Sequence, residues 1–413
     1  MARKTYCAAL LIATATFLTT TTLAQDSVPQ SATALEFGDA NTLFVADSEA
    51  GKIYAYELPE AAAFEGDPLS YNLNGFGAKV ADHLNADQSD LLFHDVIVHP
   101  VSRDAFVSLS VKTADGKNPF VISTNYAGQI KVLDLAGDHS AVELAGAADD
   151  SVTFWREIPA STFSVTDLDF VDGELFVSGL TTGEFSSTLR RIPYPFEGES
   201  HTSSIEMYHA LHGQNETRAP IRAMEVVTLN GEKTVVAAYT CTPLVTVPVS
   251  ELDDGEHVVA KTIAELGYGN TPLDVLSFSS MSRRGVEEKF VMVLNREKAA
   301  DLIKISDLDK AVQEEGVSVK AGPGQTLGVA TSIVPMTGVL QAADQDASFL
   351  LALQRNLETG DMDLVSYTKG AYIRISQYLN EYDFDTYAYP ENTRVRDFHN
   401  QFKSNEGFED HIK

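Results

Sequence analysis

From Ala34 onward the chain alternates short apolar runs with turns of Asp, Gly and Asn. The apolar positions repeat with a period near two and helical spacing is scarce, so the pattern predicts strands. Within each stretch the second run is the most strongly β-prone: Leu43–Ala46, Phe106–Leu109, Leu175–Ser178, Val235–Ala238, Phe290–Val293 and Phe349–Ala352. These runs recur at intervals of 55 to 69 residues. A repeat of that size with four strands per unit predicts an all-β chain folded as a β-propeller, and six copies predict six four-stranded blades. The fourth copy shows the whole unit, with runs at Ala223–Thr228, Thr234–Tyr239, Leu244–Val249 and His257–Ile263. The first shows it at Ala34–Phe37, Leu43–Ala46, Lys52–Glu57 and Leu69–Leu73. Each blade is thus expected to hold its own four strands in chain order, with the ring closed by packing. Seven blades is the alternative, if Ala136–Pro159 or the C-terminal stretch holds another. A pair of β-sandwiches would not need a common period.

The two ends depart from this pattern. Residues 1–24 read as a secretory signal: Arg3 and Lys4, then an uncharged run rich in Ala, Leu and Thr, then small residues ending at Ala24. The expectation is cleavage near Ala24 and a periplasmic or secreted protein. The propeller is assigned to residues 25–379. Residues 380–413 form an acidic, aromatic tail expected to lie as a strap on the propeller or to be a flexible end.

Composition narrows the function classes. The 413 residues carry 30 Lys+Arg against 59 Asp+Glu, a net charge of −29. Loss of the signal would make it −31, by removing Arg3 and Lys4. Such a charge argues against a nucleic-acid partner and against docking on an anionic membrane. No stretch after the signal is long and apolar enough for membrane insertion. The two cysteines, Cys7 and Cys241, exclude a disulfide scaffold and any multi-cysteine cluster, and cleavage would leave Cys241 alone. There is no C-x-x-C-H, Walker loop or G-x-S-x-G, so neither haem nor nucleotide nor a serine nucleophile elbow is expected.

The run Leu43–Leu58 resembles blades of NHL and SMP-30-like propellers, many of which have six blades. Tyr208–Pro220, Ala238–Leu252 and Thr262–Asp274 resemble segments of a secreted bacterial propeller family without an established activity. The SMP-30-like resemblance implies a central divalent ion that polarises a lactone or ester carbonyl. The first-strand Glu that this role calls for has only Glu36 as its nearest counterpart.

In a propeller the starts of the innermost strands and the ends of the second strands share one face, so distant residues converge there. A metal site is expected from His94, His209, His212 and Cys241, because imidazole and thiolate suit copper or zinc. Asp95, Tyr239 and Arg222 are the expected catalytic or substrate-orienting groups around it. A hard-ion alternative uses Asp47, Asp95, Asp167, Asp274 and Asn295 around the ring. Plain structural roles compete with each: loop hydrogen bonds for the histidines, a buried small residue for Cys241, capped turns for the aspartates. Trp155 is read as core or rim packing in preference to a sugar platform. Three functions stand open: a copper-dependent oxidoreductase, a calcium- or zinc-dependent lactone or ester hydrolase, and a non-catalytic binding propeller. The expected partner is a small-molecule substrate or a periplasmic protein.

Overall fold

The protein was analysed as a computed structural model that describes residues 28–39, 41–241, 243–267, 269–282, 284–369 and 409–411. The expected signal and nearly all of the expected tail lie outside these residues. Among the described residues, no helix is long and apolar enough to cross a membrane.

Among the described residues, twenty-four strands group into six propeller-like units of four, four of them separate sheets and two joined in one larger sheet. Unit I holds β1 (Ala34–Phe37), β2 (Thr42–Asp47) and β3 (Lys52–Glu57); unit II holds β5 (Leu91–Val98), β6 (Ala105–Thr113), β7 (Gly116–Thr124) and β8 (Ile130–Val132). Unit III holds β10 (Asp167–Val171), β11 (Glu174–Leu180), β12 (Ser187–Pro193) and β13 (His201–His209). Unit IV holds β14 (Ile221–Leu229), β15 (Glu232–Tyr239), β16 (Pro243–Pro248) and β17 (His257–Glu265). Unit V holds β18 (Pro272–Met281), β19 (Glu287–Asn295), β20 (Ala300–Lys304) and β21 (Ser332–Val334). Unit VI holds β22 (Val339–Asp344), β23 (Phe349–Arg355) and β24 (Met362–Thr368). All six second-strand runs read from the sequence fall inside second strands. Their central residues are buried almost without exception, which is why they are apolar on both faces.

The outer strands depart from the expected order. Unit I is completed by β9 (Ser140–Glu143), which pairs with β3 as Lys52↔Glu143 to Ala55↔Ser140. The stretch expected to complete it supplies β4 (Asn72–Leu73), which pairs with β24 of unit VI as Leu364↔Leu73 and Val365↔Asn72. So the ring is closed by an exchanged strand. The chain leaves unit I, adds an edge to unit VI, builds unit II, and returns to finish unit I.

The ring order follows from this path. The innermost strands pack side by side as β1, β10, β14, β18, β22 and β5, and β5 returns to β1. Unit II therefore sits between units VI and I. A separate buried apolar cluster fills each junction around that ring. Hydrogen bonding alone gives four separate four-stranded sheets and one ten-stranded sheet, because the outer strands β13 and β17 pair in parallel and join units III and IV. This pairing covers two sheet edges that would otherwise stay open. The segment Ala136–Pro159 holds β9 and a short hairpin, Thr153–Phe154 with Ile158–Pro159, and adds no further unit.

Candidate functional site: the channel and the mouth of units III and IV

Four of the six innermost strands share a local device at their starts. The pairing of β5, β14, β18 and β22 with their second strands skips a residue at His94, Arg222, Leu273 and Leu340. Such bulges re-aim the side chain and steepen the twist where strands converge. The residue after the bulge is Asp95 in unit II and Asp274 in unit V, and Asp167 opens β10 in unit III.

These three aspartates act as clamps between units. Asp95 Oδ2 accepts the Leu35 N–H of unit I at 2.7 Å. Asp167 Oδ2 accepts the Met224 N–H of unit IV at 2.7 Å, and Asp274 Oδ2 accepts the Ala342 N–H of unit VI at 2.8 Å. The other oxygen of Asp95 and of Asp167 accepts the N–H of the following residue, Val96 and Leu168. Alternate junctions of the ring are therefore stitched by aspartates, and Asp169 adds a second such bond between units III and IV by accepting the Val226 N–H. Gln341 occupies the matching place in unit VI and donates to the His94 and Leu273 carbonyls.

Below the clamps the channel is a cavity of about 200 Å³ lined by Glu36, Asp95, Asp167, Glu225, Asp274 and Asp344, among others. Burial is the first cause that pushes these acids up. It raises Asp95 to about 6, against the pull of the Leu35 and Val96 N–H groups. Asp274 goes to about 7 through burial and the charge of Asp95. Asp169 goes to about 6 through burial, opposed by the Val226 N–H, which its carboxylate accepts. Burial, then Asp169, Glu225 and the ring aspartates, raises Glu36. Burial and Asp169 raise Glu225, whose carboxylate accepts the Ser277 hydroxyl. A larger groove of about 890 Å³ lies on the outside of units I and II, lined by Val28, Lys117, Val132 and Leu135. It contains no cluster of metal-ligating side chains.

The one group of metal-ligating atoms among the described residues is His209, His212 and Glu216, whose ligand atoms lie within 4.8 Å of one another. A tight turn assembles it. Strand β13 ends at His209, and Gln214–Glu216 pairs back on it as His209↔Gln214 to Met207↔Glu216. Gly213 closes the turn in the left-handed region (φ +68°), and its N–H bonds the His209 carbonyl at 2.8 Å. His209 Nδ1 lies 2.9 Å from one Glu216 oxygen and His212 Nδ1 lies 2.5 Å from the other. The imidazole centroids are 3.9 Å apart. His209 is 1% exposed and its Nε2 has no hydrogen-bond partner. Burial works against the Glu216 charge, yet hydrogen bonds from His209, His212 and Gln214 hold its carboxyl down at about 2. Glu216 is thus a carboxylate between two imidazoles.

The other expected residues are placed as follows. Cys241 lies just past the end of β15, on the same face as the His209 turn. Burial, then Glu216 and Glu265, pushes its thiol up. It does not belong to the ligand group. His94 sits at the bulge of unit II with Nε2 2.8 Å from the Ser110 hydroxyl, and burial then Lys117 lowers it to about 4. It too is outside the group. Tyr239 is fully buried with its hydroxyl 2.9 Å from the Ser187 hydroxyl, which removes it from any substrate. Asp95 is committed to backbone N–H groups, so the catalytic role expected of it gives way to clamping. Arg222 starts β14 at the same end as Cys241, with its guanidinium carbon 5.5 Å from the Phe163 ring centre. The hard-ion set dissolves in the same way: Asp47 accepts the Gln30, Ser31 and Ala50 N–H groups, and Asn295 bonds Asn270 and Asp301. Trp155 is 85% exposed at a hairpin tip, so it is not rim packing. Glu216 was not among the ligands expected from the sequence.

No family model matches the chain, and no curated protein matches it. Among solved structures, YCF48 from Cyanidioschyzon merolae is 13% identical, with a TM-score of 0.35 over 83% of this chain and 98% of that one. Drosophila Semaphorin 1b, extracellular domains 1-2, is 8% identical, with a TM-score of 0.33 over 81% of this chain and 84% of that one. Trypanosoma rangeli sialidase is 7% identical, with a TM-score of 0.35 over 83% of this chain and 55% of that one.

Proposed function

We propose that this chain is an exported β-propeller that binds a divalent transition-metal ion through His209, His212 and Glu216 at the mouth of units III and IV. The observation that carries the reading is the convergence of two imidazoles and one carboxylate within ligand reach, on a turn whose geometry Gly213 fixes. Two nitrogens and one oxygen suit zinc, which binds such donors at about 2.0–2.2 Å and keeps a fourth position for water or substrate. A copper–thiolate centre is the weaker form of the reading, since it needs Cys241 or His94 and neither stands in the group. The export signal and the resemblance of Leu43–Leu58 to NHL and SMP-30-like blades belong with this reading. The acidic surface, at −29, suits a soluble exported protein.

The donor set favours one second reading, hydrolysis. An ion held by two His and one Glu with an open position can activate water against an ester or lactone carbonyl. Metal analysis of the purified protein tests the first reading. A panel of esters and lactones assayed with and without a chelator tests the second: turnover lost with the metal supports it, and no turnover on any substrate rejects it.

A further inference from the structure

Arg222 is a cation with no hydrogen-bonded anion among the described residues. Guanidinium carries five N–H donors and stays charged, so a buried arginine is normally tied to carboxylates or carbonyls. Buried Arg190 and half-buried Arg191 obey this. Arg190 donates to the Ser164 and Leu180 carbonyls, and Arg191 makes a two-pronged contact with Glu174 and reaches the Leu252 carbonyl. Both leave Nε unpaired while their terminal nitrogens bond. Arg222 leaves Nε enclosed and unpaired as well, and no hydrogen bond joins any of its nitrogens to a described residue.

Its surroundings offer no anion to spare. Asp167 is the nearby carboxylate; its oxygens accept the Leu168 and Met224 N–H groups, and no hydrogen bond joins it to Arg222. Arg296 adds a second positive charge. After burial it is the next cause that lowers the Arg222 pKa. The remaining support is the Phe163 ring, 5.5 Å from the guanidinium carbon. A ring face steadies a cation and leaves the in-plane N–H fork free. The bulge at Arg222 sets the side chain at the start of β14, the end of the propeller where the His209 turn and Cys241 also lie.

We infer that Arg222 forms an anion-binding site at the channel mouth that takes the carboxylate or phosphate group of a small molecule, with Arg296, which follows the end of β19 at the same end of the propeller, adding positive charge. The guanidinium fork matches either group through two parallel N–H···O bonds. The site stands apart from the metal reading and does not depend on it.

Titration calorimetry of the chelator-treated protein with inorganic phosphate and with succinate tests the inference free of any metal. The wild-type protein binds one of the probes with Kd below about 10 mM, and Arg222→Gln weakens that binding at least about tenfold. Preference for phosphate assigns a phosphorylated ligand, and preference for succinate assigns a carboxylate. If neither probe binds, or if Arg222→Gln binds as the wild type does, the site is refuted. Arg222→Met supplies an independent readout. If the arginine waits for a ligand, Arg222→Met keeps or raises the melting temperature of the unliganded protein. A drop of several degrees instead assigns Arg222 as counter-ion to Asp167 and overturns the inference.

Discussion

Asp167 Oδ2 accepts the Met224 N–H across the junction of units III and IV at 2.7 Å, and together with the Asp169–Val226 bond it ties the innermost strands β10 and β14 to each other. Its other oxygen holds the Leu168 N–H at 2.9 Å. Asp167→Ala strands two backbone donors inside the ring. Each costs about 1–3 kcal/mol, so chemical denaturation should show a loss of about 2–6 kcal/mol. Asp167→Asn, which keeps an acceptor, should lose less. A loss below about 0.5 kcal/mol for Asp167→Ala would remove the clamp.

The channel acids make stability fall as pH rises. Burial raises Asp95 and Asp169 to about 6 and Asp274 to about 7. An acid raised on folding holds its proton more tightly in the folded state, so its contribution is full below its unfolded pKa near 4 and is lost as pH climbs through the folded value. His94, lowered to about 4, acts in the opposite sense, but only below pH 6.5. Between pH 6.5 and 8 the unfolding free energy should therefore decrease, and Asp274→Asn should flatten the slope. Rising stability over that interval contradicts this account.

The exchanged edge β4 is held by Tyr71. Its hydroxyl reaches the Arg103 and Thr124 carbonyls at 2.9 and 3.1 Å and accepts the Ala105 N–H at 3.0 Å. It thereby joins the edge of unit VI to unit II. Tyr71→Phe should cost about 1–3 kcal/mol and lower hydrogen-exchange protection first at Ala105. Unchanged stability would mean that this contact does not hold the closure.

Cys241 should be a sluggish thiol. Burial and the Glu216 and Glu265 carboxylates push it up, so little thiolate is present near pH 8. Alkylation should run slower than for an open thiol, and Glu216→Gln should speed it about two- to fivefold by removing one neighbouring charge. A rate unchanged by Glu216→Gln would place the carboxylate too far away to matter.

The strands most legible in the sequence were those buried on both faces, such as Phe290–Val293, because burial forces an unbroken apolar run. The exchange of outer strands was not legible. Asn72–Leu73 is two residues long and Ser140–Glu143 is largely exposed, so no local pattern marks which sheet either joins. At the site, His209 and His212 could be read as a pair because ligating side chains are rare and their spacing is short. Glu216 was hidden because the turn at Gly213 brings it back, and carboxylates are common in this chain. His94 could not be separated from the pair by register alone. Its ring position in unit II depends on the unit I–VI exchange, which carries no sequence signal.

The central claim is the metal at His209, His212 and Glu216. Zinc titration of metal-stripped protein, followed by elemental analysis after dialysis, tests it most directly. The account predicts one zinc per chain for the wild type, a loss of at least tenfold in affinity for His209→Ala and for Glu216→Gln, and full retention for His94→Ala. Equal metal content in the wild type and in His209→Ala, or no bound zinc at all, would contradict it.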